Sequence, residues 1–305
     1  MSKAPELTFF YIVEPPDYQI YACTLLASIR RFFSADVKAI GYCPEHRMDE
    51  LHPAVFKAHE MMDSEIRPMK TQGVWDSDYP HGNKIIASVQ PRESAYSAFV
   101  DSDVLFLRDN RPENLIAEGH VSCSVAASML WADQSIWNTI YGAFDMPIPA
   151  ERLALMRQST DPVIPYFSSG LVVFPESGGK HGRFADVWYQ TARRLDKIET
   201  LDNRRPYLDQ MSLPVAIRRA GLNWNLLPEE QHFIMGGKLR GKPLPEDRDI
   251  FTVHYRRTRN LRDAGLHKVA HDILTEQTGV KYVRRLTPDH PEDAAPLDEM
   301  TGLDE

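Results

Sequence analysis

A chain of 305 residues with 43% hydrophobic and 26% charged residues has the balance of a globular enzyme and excludes disordered, collagenous and low-complexity classes. The net charge of −8 comes largely from Thr287–Glu305, which holds seven acids and neither Lys nor Arg. The rest of the chain is near neutral, so no general attraction for nucleic acid is expected. No apolar run approaches the length of a membrane span, and the first residues lack the layout of a signal peptide. Cys23, Cys43 and Cys123 show no metal-ligand spacing and read as buried, reduced thiols, which points to a cytoplasmic protein.

In chain order, Leu7–Val13 is β-branched and aromatic enough for a central strand, and Glu14-Pro15-Pro16-Asp17 ends it. From Tyr18 the apolar residues Tyr21, Ala22, Leu25, Leu26, Ile29, Phe32 and Phe33 fall at the spacing of a helix with one buried face. Val37–Tyr42 reads as a second strand, Met48–Met62 as a second helix and Glu65–Met69 as a third strand. Strand and helix alternating at this pace imply a largely parallel sheet covered by helices, with ligands gathered beyond the carboxyl ends of the strands.

A loop rich in Gly, Asp and Pro, Gly73–Gly82, leads into a short helix over Asn83–Val89, with Asn83 in position to cap it. Lys84 falls in its first turn, where the helix dipole disfavours a cation unless an anion lies close. A bound phosphate would supply that anion. Ala98-Phe99-Val100 and Val104-Leu105-Phe106-Leu107 are apolar strands that flank Asp101-Ser102-Asp103. Two carboxylates at the mouth of a sheet are costly unless something balances them, and a hard cation such as Mg²⁺ or Mn²⁺ does so. The same three-residue pattern recurs at Asp76-Ser77-Asp78 and Asp247-Arg248-Asp249, where nearby Gly and Pro mark solvated loops.

Further on, Val121–Ala127 is a strand, and Ile136, Trp137, Ile140, Tyr141 and Phe144 make an aromatic helix face that reads as core. Tyr166–Gly170 leads into the strand Leu171–Phe174, with Gly170 allowing close backbone approach. Phe184, Val187, Trp188, Ala192 and Leu195 line the next helix. Leu208-Asp209-Gln210 opens another, with an irregular start expected from Pro214 and a capping role open to Asp209. Ile250–Tyr255 is a late strand, and Leu261, Val269 and Ile273 mark one last helix.

Taken together, these residues resemble the GT-A nucleotide-sugar glycosyltransferases, above all glycosyltransferase family 8, the glycogenin-like and bacterial galactosyltransferase-like enzymes. Tyr18 stands ten residues before Ser28, as the family's uracil-stacking tyrosine stands before the serine of its first helix. Lys84, 17 residues before Asp101, is similar to the lysine that precedes the metal motif. Ala98–Leu107 looks like the family's strand–DxD–strand, Phe167–Phe174 like its Asn-Ser/Ala-Gly strand, and Leu208-Asp209-Gln210 like its Asp-Gln helix start. The sequence departs from the pattern at Ser168, which replaces that Asn, and at Glu14–Asp17, which replaces a Thr-Asn-Asp run. It also lacks the C-terminal His-x-x-Gly-x-x-Lys-Pro-Trp, having Arg256, Arg257, Arg259 and Arg262 after His254 instead.

The resemblance implies an α/β GT-A fold, Rossmann-like with a mostly parallel sheet flanked by helices, as a single large domain over residues 1–286, and a disordered acidic tail over 287–305. It implies Mn²⁺ or Mg²⁺ on Asp101, Asp103 and His254. Donor contacts fall to Val13, Tyr18, Lys84, Ser102, Ser169, Gly170 and Arg256, and catalysis to Asp209 and Gln210. The expected reaction moves a sugar from a UDP-sugar to a carbohydrate or glycoconjugate acceptor with retention. An inverting enzyme with Asp209 as general base, a nucleotide-sugar-binding protein without catalysis, and a haloacid-dehalogenase-type phosphatase with Asp101 as nucleophile stand as alternatives.

Overall fold

The computed structural model describes residues 6–33, 37–157, 161–201 and 204–287. Apart from Thr287, the acidic tail lies outside the described residues. The chain runs β1 (Leu7–Ile12), α1 (Tyr18–Phe32), β2 (Lys38–Pro44), α2 (Pro53–Met61), β3 (Glu65–Met69), α3 (Asn83–Ser88), β4 (Tyr96–Val100) and β5 (Val104–Phe106). It continues through β6 (His120–Val125), α4 (Ile136–Gly142), β7 (Phe167–Pro175), α5 (Phe184–Asp196), α6 (Arg204–Arg219), β8 (Asn223–Leu226), β9 (Phe233–Ile234), β10 (Thr252–His254), α7 (Thr258–Asp263) and α8 (His267–Thr278).

Its contacts group into two compact units, each built from separated stretches of sequence. One takes Thr8–Met69, Val100–Pro112 and the chain from Glu229 onward. There β1 is buried almost throughout, as its apolar sequence demands, and pairs in parallel with β2, which pairs in parallel with β3. The partly exposed β3 carries Pro68, a residue that suits an edge. A smaller sheet in the same unit has β10 in its centre, antiparallel to β5 and parallel to β9. Phe9, Phe33 and Phe106 form an edge-to-face cluster with ring centres 4.7–5.8 Å apart.

The other unit takes Lys70–Phe99 and Glu113–Pro228 and supplies strands in the order β4-β7-β6-β8. β7 is buried along its whole length, antiparallel to β6, and β6 runs parallel to β8. The architecture is mixed α/β with a large, mostly parallel sheet flanked by helices, which is the fold class expected from the sequence.

Several local expectations need correcting. The helix expected over Met48–Met62 is a 3-10 turn at Glu45–Glu50 followed by α2. Pro53, costly inside a helix and favoured at its first turn, starts one, with His52 Nδ1 accepting the Ala54 N–H at 3.2 Å. Asn83 is not the N-cap of α3, because a 3-10 turn at Pro80–Gly82 runs directly into the helix and Asn83 is its buried first residue. β7 begins at Phe167, so Gly170 lies inside the strand. α6 begins at Arg204 and passes through Pro214, so Asp209 is interior and not a cap. Packing overrides the proline there: Leu213, Val215 and Ala216 are fully buried, and Trp188 Nε1 donates to Ser212 Oγ at 3.0 Å. The last expected helix is two, α7 and α8, parted by Gly265 at φ +75°, and Val269 is exposed.

Candidate active site

The link Asp101-Ser102-Asp103 is where the chain leaves β4 of the large sheet and enters β5 of the small one. That change of sheet explains two apolar strands around a polar pivot. The Val104 N–H donates to the Asp101 carbonyl at 3.1 Å, and Ser102 Oγ donates to the Ile12 carbonyl at the end of β1. Because β10 pairs with β5 so that His254 faces Val104, and the Tyr255 N–H donates to the Asp103 carbonyl at 3.0 Å, the imidazole arrives beside the two carboxylates. His254 Nε2 lies 3.2 Å from Asp103 Oδ1 and 3.9 Å from Asp101 Oδ2. One potential ligand atom from each residue lies within 4.8 Å of the others.

Asp103 and His254 are buried and Asp101 is half-buried. His254 Nδ1 is buried without a hydrogen-bond partner. Two carboxylates and an imidazole make an oxygen and nitrogen donor set that can hold a divalent cation. The residues present therefore suit the cation that the sequence implied.

An aromatic series runs outward from this triad. Tyr255 is fully buried, and its burial, with the Asp103 carboxylate nearby, pushes its phenol well above the usual range. Tyr21 lies edge-on to Tyr255 and to Tyr18, each at 5.8 Å, and its hydroxyl accepts from Thr258 Oγ1 at 3.2 Å. Tyr18 ends the series with 46% of its surface exposed. Neither Tyr21 nor Tyr255 was singled out from the sequence, although Tyr255 follows His254 and Tyr21 stands one turn after Tyr18. Arg256 is exposed and adopts φ +66°, a left-handed conformation that a non-glycine residue holds at a cost. Val13 is buried with its N–H given to the Tyr42 carbonyl at 2.8 Å, so its side chain belongs to the core.

The second cluster lies in the other unit. Lys84 Nζ is 3.2 Å from Asp209 Oδ2 and donates to Ser169 Oγ at 3.1 Å, while Ser169 Oγ donates to Asp209 Oδ2. The Tyr79 hydroxyl donates to Asp209 Oδ1 at 2.8 Å and accepts the Asp209 N–H at 3.0 Å. Lys84 also stands 5.1 Å over the Phe99 ring. All of these groups are buried. Burial by itself raises the Asp209 pKa, but Lys84, the Ser169 hydrogen bond, His81 and Tyr79 outweigh it and hold the carboxyl below its usual range.

Two expectations change here. The anion that answers Lys84 in the first turn of α3 is Asp209 itself, and the lysine is not solvated. A carboxylate so stabilised is a poor proton acceptor, which weighs against Asp209 as the general base of an inverting reaction. Gln210, the next residue, is half-buried. Ser168 Oγ accepts the Gly170 N–H at 3.3 Å. Tyr79 escaped the sequence reading because nothing in a Gly/Asp/Pro-rich loop marks one tyrosine as buried. The other two Asp-x-Asp stretches carry exposed aspartates, as expected.

No curated protein matches this chain in sequence. Among solved structures, the apo form of mouse xyloside xylosyltransferase 1 is similar with a TM-score of 0.52 and 10% identity, covering 81% of this chain and 96% of that one. At that identity the likeness establishes a shared GT-A-like fold. A family profile described as the Rhodobacterales glycosyltransferase domain matches residues 9–221, well over half of the chain. That range takes in Tyr18, Lys84, Asp101, Asp103, Asp209 and Gln210, and stops short of His254. The chain belongs to this Rhodobacterales family and is a glycosyltransferase.

Proposed function

We propose that the protein transfers a sugar from a UDP-sugar to a carbohydrate or glycoconjugate acceptor, with a divalent cation, preferably Mn²⁺, held by Asp101, Asp103 and His254. The observation that carries this reading is the convergence of those three side chains within 4.8 Å at the link between two sheets. When bound there, the cation supplies Lewis-acid stabilisation of the departing diphosphate. Tyr18 stacks on the base, Ser102 and the segment ending at Val13 position the nucleoside, and Arg256 offers its guanidinium fork to phosphate oxygens. Lys84, Ser169, Gly170, Asp209 and Gln210 are assigned to the donor sugar. Asp209 and Gln210 act in the transfer itself, and Gln210 serves as the neutral polar group. Likeness to family 8 supports retention at the anomeric carbon, and three buried free thiols fit a reducing cytoplasm.

The family assignment removes the phosphatase alternative. The reading is tested by incubating the protein with a panel of nucleotide sugars and Mn²⁺ and following nucleotide release. UDP released from one UDP-sugar, suppressed by excess chelator and restored by Mn²⁺, is the expected result. Full release in excess chelator ends the metal reading, and binding of UDP-sugars without release under any condition restores the non-catalytic one.

A further inference from the structure

The helices α5 and α6 both end in basic residues, and among the described residues only Arg218 of these last-turn cations reaches a carboxylate. Gln190, Arg193, Arg194 and Lys197 recur at one-turn spacing towards the end of α5 and, with Tyr189, line a surface concavity of about 360 Å³. Arg219, the last residue of α6, stands 4.4 Å over the Phe144 ring, and Arg194 stands 5.0 Å over the same ring, so two guanidinium groups share one aromatic ring. Arg193 in turn stands 5.8 Å over Tyr189. Among the described residues no carboxylate lies within ion-pair distance of Arg193, Arg194, Lys197 or Arg219, in a chain where 43 acids outnumber 35 bases. The adjacent Arg218, by contrast, reaches Glu151 at 2.8 Å.

A helix C-terminus welcomes a cation, which accounts for basic residues in the last turn of each helix. It does not account for three cations, Arg193, Arg194 and Lys197, left without a carboxylate around one hollow, with Arg219 near Arg194 at the Phe144 ring. Like charges held together are unfavourable unless an anion joins them, and burial together with Arg194 lowers the Arg219 pKa. Guanidinium forks match tetrahedral oxyanions through paired N–H donors, a lysine adds a point charge and Gln190 adds an amide. The large exposed apolar side chains among the described residues are Tyr18, Phe56, Met61, Leu130, Leu226 and Val269, none of them on α5. Recognition at this hollow is therefore electrostatic and weakens with salt.

We propose that this concavity binds a phosphate group, carried either by a soluble phosphorylated molecule or by the headgroup of an anionic lipid. The test titrates inorganic phosphate into the full chain by calorimetry, with chelator present so that no metal-bound donor site contributes. Wild type should bind, and the variant Arg193→Gln/Arg194→Gln/Lys197→Gln should bind at least tenfold more weakly. Because Arg194 and Lys197 are exposed and Arg193 is half-exposed, the variant should melt with wild type, and the charge-keeping Arg194→Lys should bind nearly as wild type does. Cosedimentation with phosphatidylglycerol vesicles, against phosphatidylcholine vesicles, separates the sources. Pelleting with the anionic vesicles alone, lost in the triple variant, assigns a lipid headgroup, and phosphate binding without pelleting assigns a soluble ligand. Unchanged binding in the triple variant, or a wild type that binds neither phosphate nor anionic vesicles, overturns the proposal.

Discussion

Three side chains act directly on the Asp209 carboxylate: Lys84 pairs with it, and Ser169 and Tyr79 donate hydrogen bonds. Removing one partner of a buried pair leaves the other charge uncompensated, so Lys84→Met should destabilise the fold by about 3–5 kcal/mol in a denaturant melt. The same pairing sets the acid behaviour. The Asp209 pKa lies below that of an unfolded aspartate, ~3.9. Its stabilisation is thus complete above about pH 4 and is lost as pH falls through the folded-state value. The melting-temperature gap between wild type and Asp209→Asn should hold steady from about pH 7 to 5 and narrow in acid. A gap that widens in acid contradicts the pairing. Tyr18, half in solvent, is a different case: Tyr18→Ala should weaken UDP binding by roughly 1–3 kcal/mol and leave the melting temperature unchanged. Unaltered UDP affinity makes it only the first residue of α1.

At the scale of elements, the alternation of β1, α1, β2 and β3 was legible because each has one period and a clear stop, such as the Pro15-Pro16 pair after β1. The meeting of Asp101, Asp103 and His254 was legible for a related reason. Apolar strands on both sides of Asp101 and Asp103, and before His254, put all three at strand ends. What could not be read was pairing between distant segments. No local pattern says that Asp209 faces Lys84 and Tyr79, so a capping role stayed open for an interior helical aspartate. Nor does any say that packing against α5 carries α6 through Pro214. Gly82 shows how tightly that region is set, since an added Cβ would stand 2.4 Å from Tyr79 Cδ1 and 2.5 Å from Trp75 Cε2. Gly82→Ala should cost about 1–3 kcal/mol and lower turnover more than Tyr79→Phe does, because it displaces the whole ring. Wild-type stability in that variant would mean that the loop yields freely.

For the whole molecule, the decisive feature is how sequence-distant residues meet within one unit. Asp101 and Asp103 come from the link between two sheets, and His254 arrives from a strand about 150 residues later, a loop closure that only the assembled fold sustains. From its composition alone, the sequence after Thr287, with its acids, prolines and few apolar residues, is expected to add nothing to the stability of the fold. A chain ending at Thr287 should therefore melt with the full one, and a fall of several degrees would show that the segment docks. The family profile stops before His254, so the proposal that it is the third ligand leans on its position beside Asp101 and Asp103. The most direct test is calorimetric titration of Mn²⁺, with UDP present, into wild type and His254→Ala, alongside melting without metal. The account predicts that the variant loses more Mn²⁺ affinity than the roughly 10–100-fold typical of an outer-shell partner, with an unchanged metal-free melting temperature. Wild-type Mn²⁺ affinity combined with a lowered metal-free melting temperature would make His254 a structural residue and contradict the metal site.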